Sequence, residues 1–154
     1  MRLDYVHPFI DSAMHVLTWL TGAPVECSAM ELRQSSLQCK EVAFMIKVTG
    51  EAEVQVNLEM NRETALALAG SICGMVVQDI YHGAPYCLLD MANQVAVKAV
   101  NLLNARGYVF ELTPALVCIG AHRSRRSLDL ETVAISLLAG CMGEVNLNMA
   151  LQVY

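Results

Sequence analysis

Charge is scarce in this chain, and positive charge is scarcer still. Charged residues make up 16% of the sequence, and 10 Lys and Arg against 15 Asp and Glu leave a formal charge of −5 at pH 7. A general nucleic-acid binder needs a cationic surface to meet phosphates, so this composition argues against nucleic-acid partners. The one basic cluster, His122-Arg123-Ser124-Arg125-Arg126, has no interleaved aromatics and reads as a solvated loop between strands. Long hydrophobic runs are also missing. Mean hydropathy is +0.42, yet no uncharged apolar run approaches the roughly 18 residues that a membrane-spanning helix needs. The run 132–143 holds Gly140, Gly143 and β-branched residues, and reads as a buried strand and turn. Asp4 and His7 precede any apolar run, unlike a signal peptide. A cytoplasmic protein without membrane contact is expected.

Reactive signatures are few. The six cysteines (27, 39, 73, 87, 118 and 141) include no Cys-x-x-Cys pair, and the four histidines (7, 15, 82 and 122) lack ligand spacing. No metal site is expected, and the cysteines read as small buried hydrophobes of a reducing compartment. A Gly-rich phosphate loop and a nucleophile elbow are both absent, which argues against nucleotide-dependent and acyl-transfer enzymes. Apolar residues, by contrast, reach 55% of 154. That length suits one domain, 1–154, with a sizeable core, and the apolar surplus suits an oligomer interface. Trp19, the only tryptophan, reads as packing.

An internal repeat organises the chain. VAFMIKVTGEAEVQVNLEM begins at Val42 and VAISLLAGCMGEVNLNMAL at Val133, an offset of 133 − 42 = 91. Glu53 then falls on Glu144, Val54 on Val145, Gln55 on Asn146 and Asn57 on Asn148. Both copies alternate with period 2 around a Gly-containing turn, as a strand hairpin does. A looser match precedes each: AMHVLTWLTGAPVE against KAVNLLNARGYVFE, with Gly22 on Gly107 at offset 107 − 22 = 85. There a helix stops at glycine and a strand begins. Pro8 and Pro85 stand near the two helix starts, where a missing N–H costs little. One unit thus reads helix, strand, strand, strand, over about 5–60 and again over 85–154. A linking helix at 61–75 is capped by Asn61 and ended by Gly74. The predicted fold is α+β, a mixed sheet of about six strands with helices on one face.

The second long helix, YCLLDMANQVAVKAVNLLNARG, carries the only promising chemistry. Leu88, Ala92, Val95, Ala99 and Leu102 form its apolar stripe. Asp90 and Asn93, three residues apart, share its wet face. A carboxylate and a carboxamide held there can pair with a cation and orient a water. Asn101 and Asn104 continue that face and read as solvated surface, and Lys98 as exposed.

Over essentially its whole length the chain resembles the CheX branch of the CheC/CheX/FliY phosphatases, which act on chemotaxis response regulators. The resemblance rests on Glu63-Thr64-Ala65-Leu66 opening the middle helix, on the acid-x-x-Asn pair Asp90 and Asn93, on Thr113-Pro114, and on the doubled layout. It implies that Asn93 orients the water that attacks the aspartyl phosphate of a CheY-like regulator. Asp90 would pair with that regulator's lysine. Tyr86, Gln94, Val97 and Lys98 would share the docking surface. The regulator would supply Mg2+, so that this chain binds no cofactor of its own, and the chain would form a homodimer through its sheet. Two residues depart from the family pattern. The acid, usually Glu, is Asp90, with roughly 1.5 Å less reach, and the usual Asp or Ser four residues earlier is Tyr86. Subtracting 85 from 90 and 93 gives Tyr5 and Pro8, so the first copy offers no second site. A non-catalytic docking module with the same fold is the alternative expectation.

Overall fold

The computed structural model describes residues 3–34, 40–120 and 131–153. Its first unit is α1 (Leu3–Thr21), β1 (Val25–Gln34), β2 (Val42–Gly50) and β3 (Ala52–Met60). After α2 (Arg62–Cys73) come α3 (Ala84–Ala105), β4 (Phe110–Leu112), β5 (Leu116–Ile119), β6 (Glu131–Ala139) and β7 (Glu144–Val153). The α+β class and the doubled helix-plus-three-strand order are those expected. The basic cluster 122–126 lies outside the described residues.

Two details of the sheet differ from expectation. It has seven strands rather than six, and every described pairing is antiparallel, where a mixed sheet was expected. The seventh strand arises because β4 and β5 are one edge strand broken at Thr113-Pro114-Ala115. Both halves pair with β2: β4 with Val48–Gly50, β5 with Val42–Met45. Pro114 has no N–H for the ladder, so pairing lapses there.

The strand order is β1-β6-β7-β3-β2-β4, with β5 also on β2. Each unit therefore lends its first strand to the other unit's hairpin. The two halves meet at β3 and β7, where Asn57 pairs with Asn148. These are repeat equivalents (57 + 91 = 148), so a pseudo-two-fold axis passes through that pair. Such an axis, normal to the sheet, makes β3 and β7 antiparallel; the two hairpins and the exchanged first strands pair antiparallel as well.

Alternation then sets the faces. Phe44, Ile46, Val48, Val54, Val56 and Leu58 are buried beneath the helices. Lys47, Glu53, Gln55, Asn57 and Glu59 alternate with them on the other face, where Lys47 pairs with Glu53 at 2.8 Å and Asn148 donates to Glu59 at 3.2 Å. In α3, Leu88, Ala92, Val95 and Ala99 are buried as predicted, but the stripe continues at Leu103, and Leu102 is only half-buried. From Ala99 a step of four holds the stripe's direction better than a step of three. α1 starts at Leu3, so Pro8 lies inside it rather than at its start, while Pro85 opens α3 as predicted. No helix among the described residues is long and apolar enough to cross a membrane.

α2 has both predicted caps. Asn61 accepts the Thr64 N–H at 2.9 Å, and Gly74 takes the left-handed conformation at φ 68°. Asn61→Ala is expected to cost about 1 kcal/mol, and to lower Tm by about 2–4 °C in thermal unfolding.

The cysteines correct the sequence reading. Cys27, Cys73 and Cys141 are exposed and Cys87 and Cys118 half-buried; Cys39 lies outside the described residues. Cys27 sits at a bulge of edge strand β1, Cys73 at the end of α2 and Cys141 in the turn before β7, places that the core does not reach.

Candidate functional site

α3 runs for 22 residues across the helical layer and packs beside α1. Its outward face and α1 enclose a groove of about 690 Å3. Asp90, Asn93, Gln94, Val97 and Lys98 line it from α3, and His15, Val16 and Trp19 from α1. Five of the six residues singled out in the sequence therefore meet in one place. Tyr86, 77% exposed, stands one turn before Asp90 and does not line the groove.

Trp19 does not pack as expected. It is 73% exposed, on the far wall of the groove. Its spacing from His15 (i, i+4) marks a shared helical face, but nothing in the sequence says that this face looks toward α3. His15, Val16 and Trp19 on α1, with Asn101 and Leu102 further along α3, are the lining residues that sequence reasoning missed.

The break in the edge strand explains how Asn93 is held. Thr113 keeps the ladder by donating its N–H and hydroxyl to the Lys47 carbonyl, at 3.0 and 2.7 Å. After Pro114 the chain turns, and the Ala115 N–H donates to Asn93 Oδ1 at 3.0 Å. An N–H partner fixes the carboxamide orientation, because only the oxygen accepts. Among the described residues Nδ2 has no partner, so its two donors are available to the groove. Pro114 thus acts on the site through the amide that follows it.

Asn104 repeats the device three turns on and is not merely solvated. Its Oδ1 accepts the Phe110 N–H at 3.0 Å and its Nδ2 donates to the Phe110 carbonyl at 3.3 Å. The two carboxamides bracket the broken strand and tie both halves to α3.

Asp90 is exposed and makes no hydrogen bond or ion pair among the described residues. Its carboxylate is free to meet a cation from outside. Lys98, two turns on, offers the opposite charge. The pseudo-symmetric positions are closed: Pro8 is buried, and Tyr5, also buried, meets Tyr108 and Phe110 edge-on with centroids 5.1 and 5.2 Å apart.

Two groups, one in the linker before α3 and one in its first turn, are displaced from their ordinary pKa. The hydrogen bond with His82, together with the Tyr81 N–H, holds the Asp79 carboxyl below the usual range. The Cys87 thiol is pushed up, first by its hydrogen bond with Cys73, then by burial, the Cys73 charge and the Asp90 charge. No group of three or more His, Cys, Asp or Glu that could hold a metal occurs among the described residues.

No family model matches the chain, and no curated protein does. Solved structures do. A CheC-like superfamily protein from Shewanella sp. PV-4 superposes with a TM-score of 0.88 at 19% identity, over 99% of each chain. CheX from Vibrio vulnificus gives 0.85 at 16%, over 96% of this chain and 99% of that one. The CheX–CheY–BeF3–Mg2+ complex from Borrelia burgdorferi gives 0.81 at 24%, over 98% and 99%. The seven-stranded antiparallel sheet, the three helices over it and these superpositions together establish that the chain has the CheX-type fold.

Proposed function

We propose that this chain docks on a CheY-like response regulator of chemotaxis and hydrolyses its aspartyl phosphate. The observation that carries this reading is the anchored carboxamide in the groove wall: Asn93 Oδ1 is held by Ala115, Nδ2 has no partner among the described residues, and the exposed Asp90 stands one turn away. The likeness to a CheX found in complex with CheY supports the partner class.

In this reading Asp90 pairs with a lysine of the regulator and sets the depth of α3 in the regulator's site. Asn93 Nδ2 donates to the oxygen of a water and places it in line with the phosphorus. One lone pair of that water takes the hydrogen bond, and the other attacks. The P–O bond to the aspartyl carboxyl breaks, its electron pair stays on the regulator's aspartate as a carboxylate, and the water's oxygen and two protons depart in inorganic phosphate. Phosphoryl transfer asks little covalent chemistry of the protein, so positioning and charge suffice. Mg2+ belongs to the regulator, and this chain adds no cofactor. A homodimer through the sheet completes the proposal, to be checked by light scattering.

Trp19 lets docking and chemistry be followed in one sample. As the sole tryptophan, standing exposed in the groove, it should change emission when a phosphorylated receiver binds. Emission change with accelerated phosphate release supports the enzyme. Emission change without release leaves the docking module, which the short Asp90 and the exposed Tyr86 would then explain. No change in either defeats the proposal. Trp19→Ala is expected to weaken docking at least about tenfold, as buried interface tryptophans do, while moving Tm by less than about 2 °C.

A further inference from the structure

Two cysteine sulfurs lie within contact distance among the described residues, and they belong to neither the groove nor the core. Cys73 ends α2 and Cys87 lies in the first turn of α3, and their Sγ atoms are 2.7 Å apart. Cys73 is exposed and Cys87 half-buried, so a small reagent reaches the pair. The remaining described cysteines, Cys27, Cys118 and Cys141, belong to β1, β5 and the turn before β7.

We propose that Cys73 and Cys87 form a redox-active dithiol, oxidised by low-molecular-weight disulfides to an intramolecular disulfide that closes the linker 74–86. The geometry is nearly assembled, since closure moves two sulfurs from 2.7 Å to about 2.04 Å. In the first step the Cys73 thiolate attacks one sulfur of the reagent disulfide and expels one reagent thiolate. Cys87 then loses its proton to solvent, and its sulfur attacks the Cys73 sulfur and expels the second. Two protein thiols are oxidised to one disulfide, and the reagent is reduced to two thiols. Cys87 keeps its proton at neutral pH because its hydrogen bond with Cys73 favours the thiol, so exchange is faster in alkali. In a reducing compartment such a pair is suited to reversible exchange rather than permanent bracing.

The placement couples this pair to the site helix. Cys87 precedes Asp90 by three residues, and so the bond would fix the first turn of the helix that carries Asp90 and Tyr86. The effect on docking rests on the function proposed above. The disulfide itself does not.

The test is oxidation of the folded protein by oxidised glutathione, an acid quench, tryptic digestion and mass spectrometry. Cleavage after Arg62 and Lys98 leaves both cysteines, and no others, in one peptide, 63–98. The expected product is that peptide lighter by two hydrogens, formed at least about tenfold faster than in the urea-unfolded chain, because the fold presents the sulfurs together. Cys73→Ser and Cys87→Ser should each give only the glutathione adduct of the remaining thiol. A peptide that stays reduced, or carries glutathione in the unsubstituted protein, would overturn the proposal. So would closure no faster folded than unfolded. None of these outcomes depends on dephosphorylation.

Discussion

Asn93→Ala is expected to slow dephosphorylation of the docked receiver by about 10²–10³-fold, the usual loss when one preorganised donor is removed from a reacting centre. Receiver affinity should stay within about twofold, because an interaction made only in the transition state contributes to rate and not to binding. Asn93→Asp is the sharper variant. It keeps an oxygen for the Ala115 N–H but replaces the Nδ2 donors with a negatively charged acceptor. Its rate should fall at least as far as that of the alanine variant. Stopped-flow phosphate release with saturating receiver measures both. An aspartate variant near the unsubstituted rate would show that anchoring matters and the Nδ2 donor does not.

Asp90→Lys is expected to weaken receiver binding by at least about thirtyfold, since a favourable charge pair becomes a repulsive one at a desolvating contact. Stability should shift by no more than about 0.5 kcal/mol, because the exposed Asp90 has no partner to lose among the described residues. The loss should also shrink as salt rises, as screening of a charge contact requires. Titration at two ionic strengths, with Tm as the folding control, tests this. Binding unchanged by the reversal would remove Asp90 from the docking surface.

The periodic features of the fold were the legible ones. The offset of 91 exposed the repeated hairpins, and Asn61, Gly74, Gly22 and Gly107 marked helix ends because capping and left-handed turns restrict residue type locally. Asp90 and Asn93 were legible as one helical face for the same reason. What was hidden depended on neighbours distant in sequence. Alternation gives a strand two faces but does not name its partner, so neither the exchange of β1 and β4/β5 nor the wholly antiparallel sheet was visible. Trp19 reads as packing in the sequence because α1's second face acquires meaning only once α3 lies beside it. Residue type points the cysteines to the core, whereas position at a strand edge, helix end or turn decides their exposure. The hold on Asn93 was hidden most deeply, since it comes from a main-chain amide of Ala115, and any residue but proline could supply one.

The most direct test of the whole account is phosphate release from a phosphorylated CheY-type receiver of the same cell, with this protein present in substoichiometric amount. The account predicts release faster than spontaneous decay, with many receivers dephosphorylated per chain. Decay at the spontaneous rate while Trp19 emission reports full docking would contradict it.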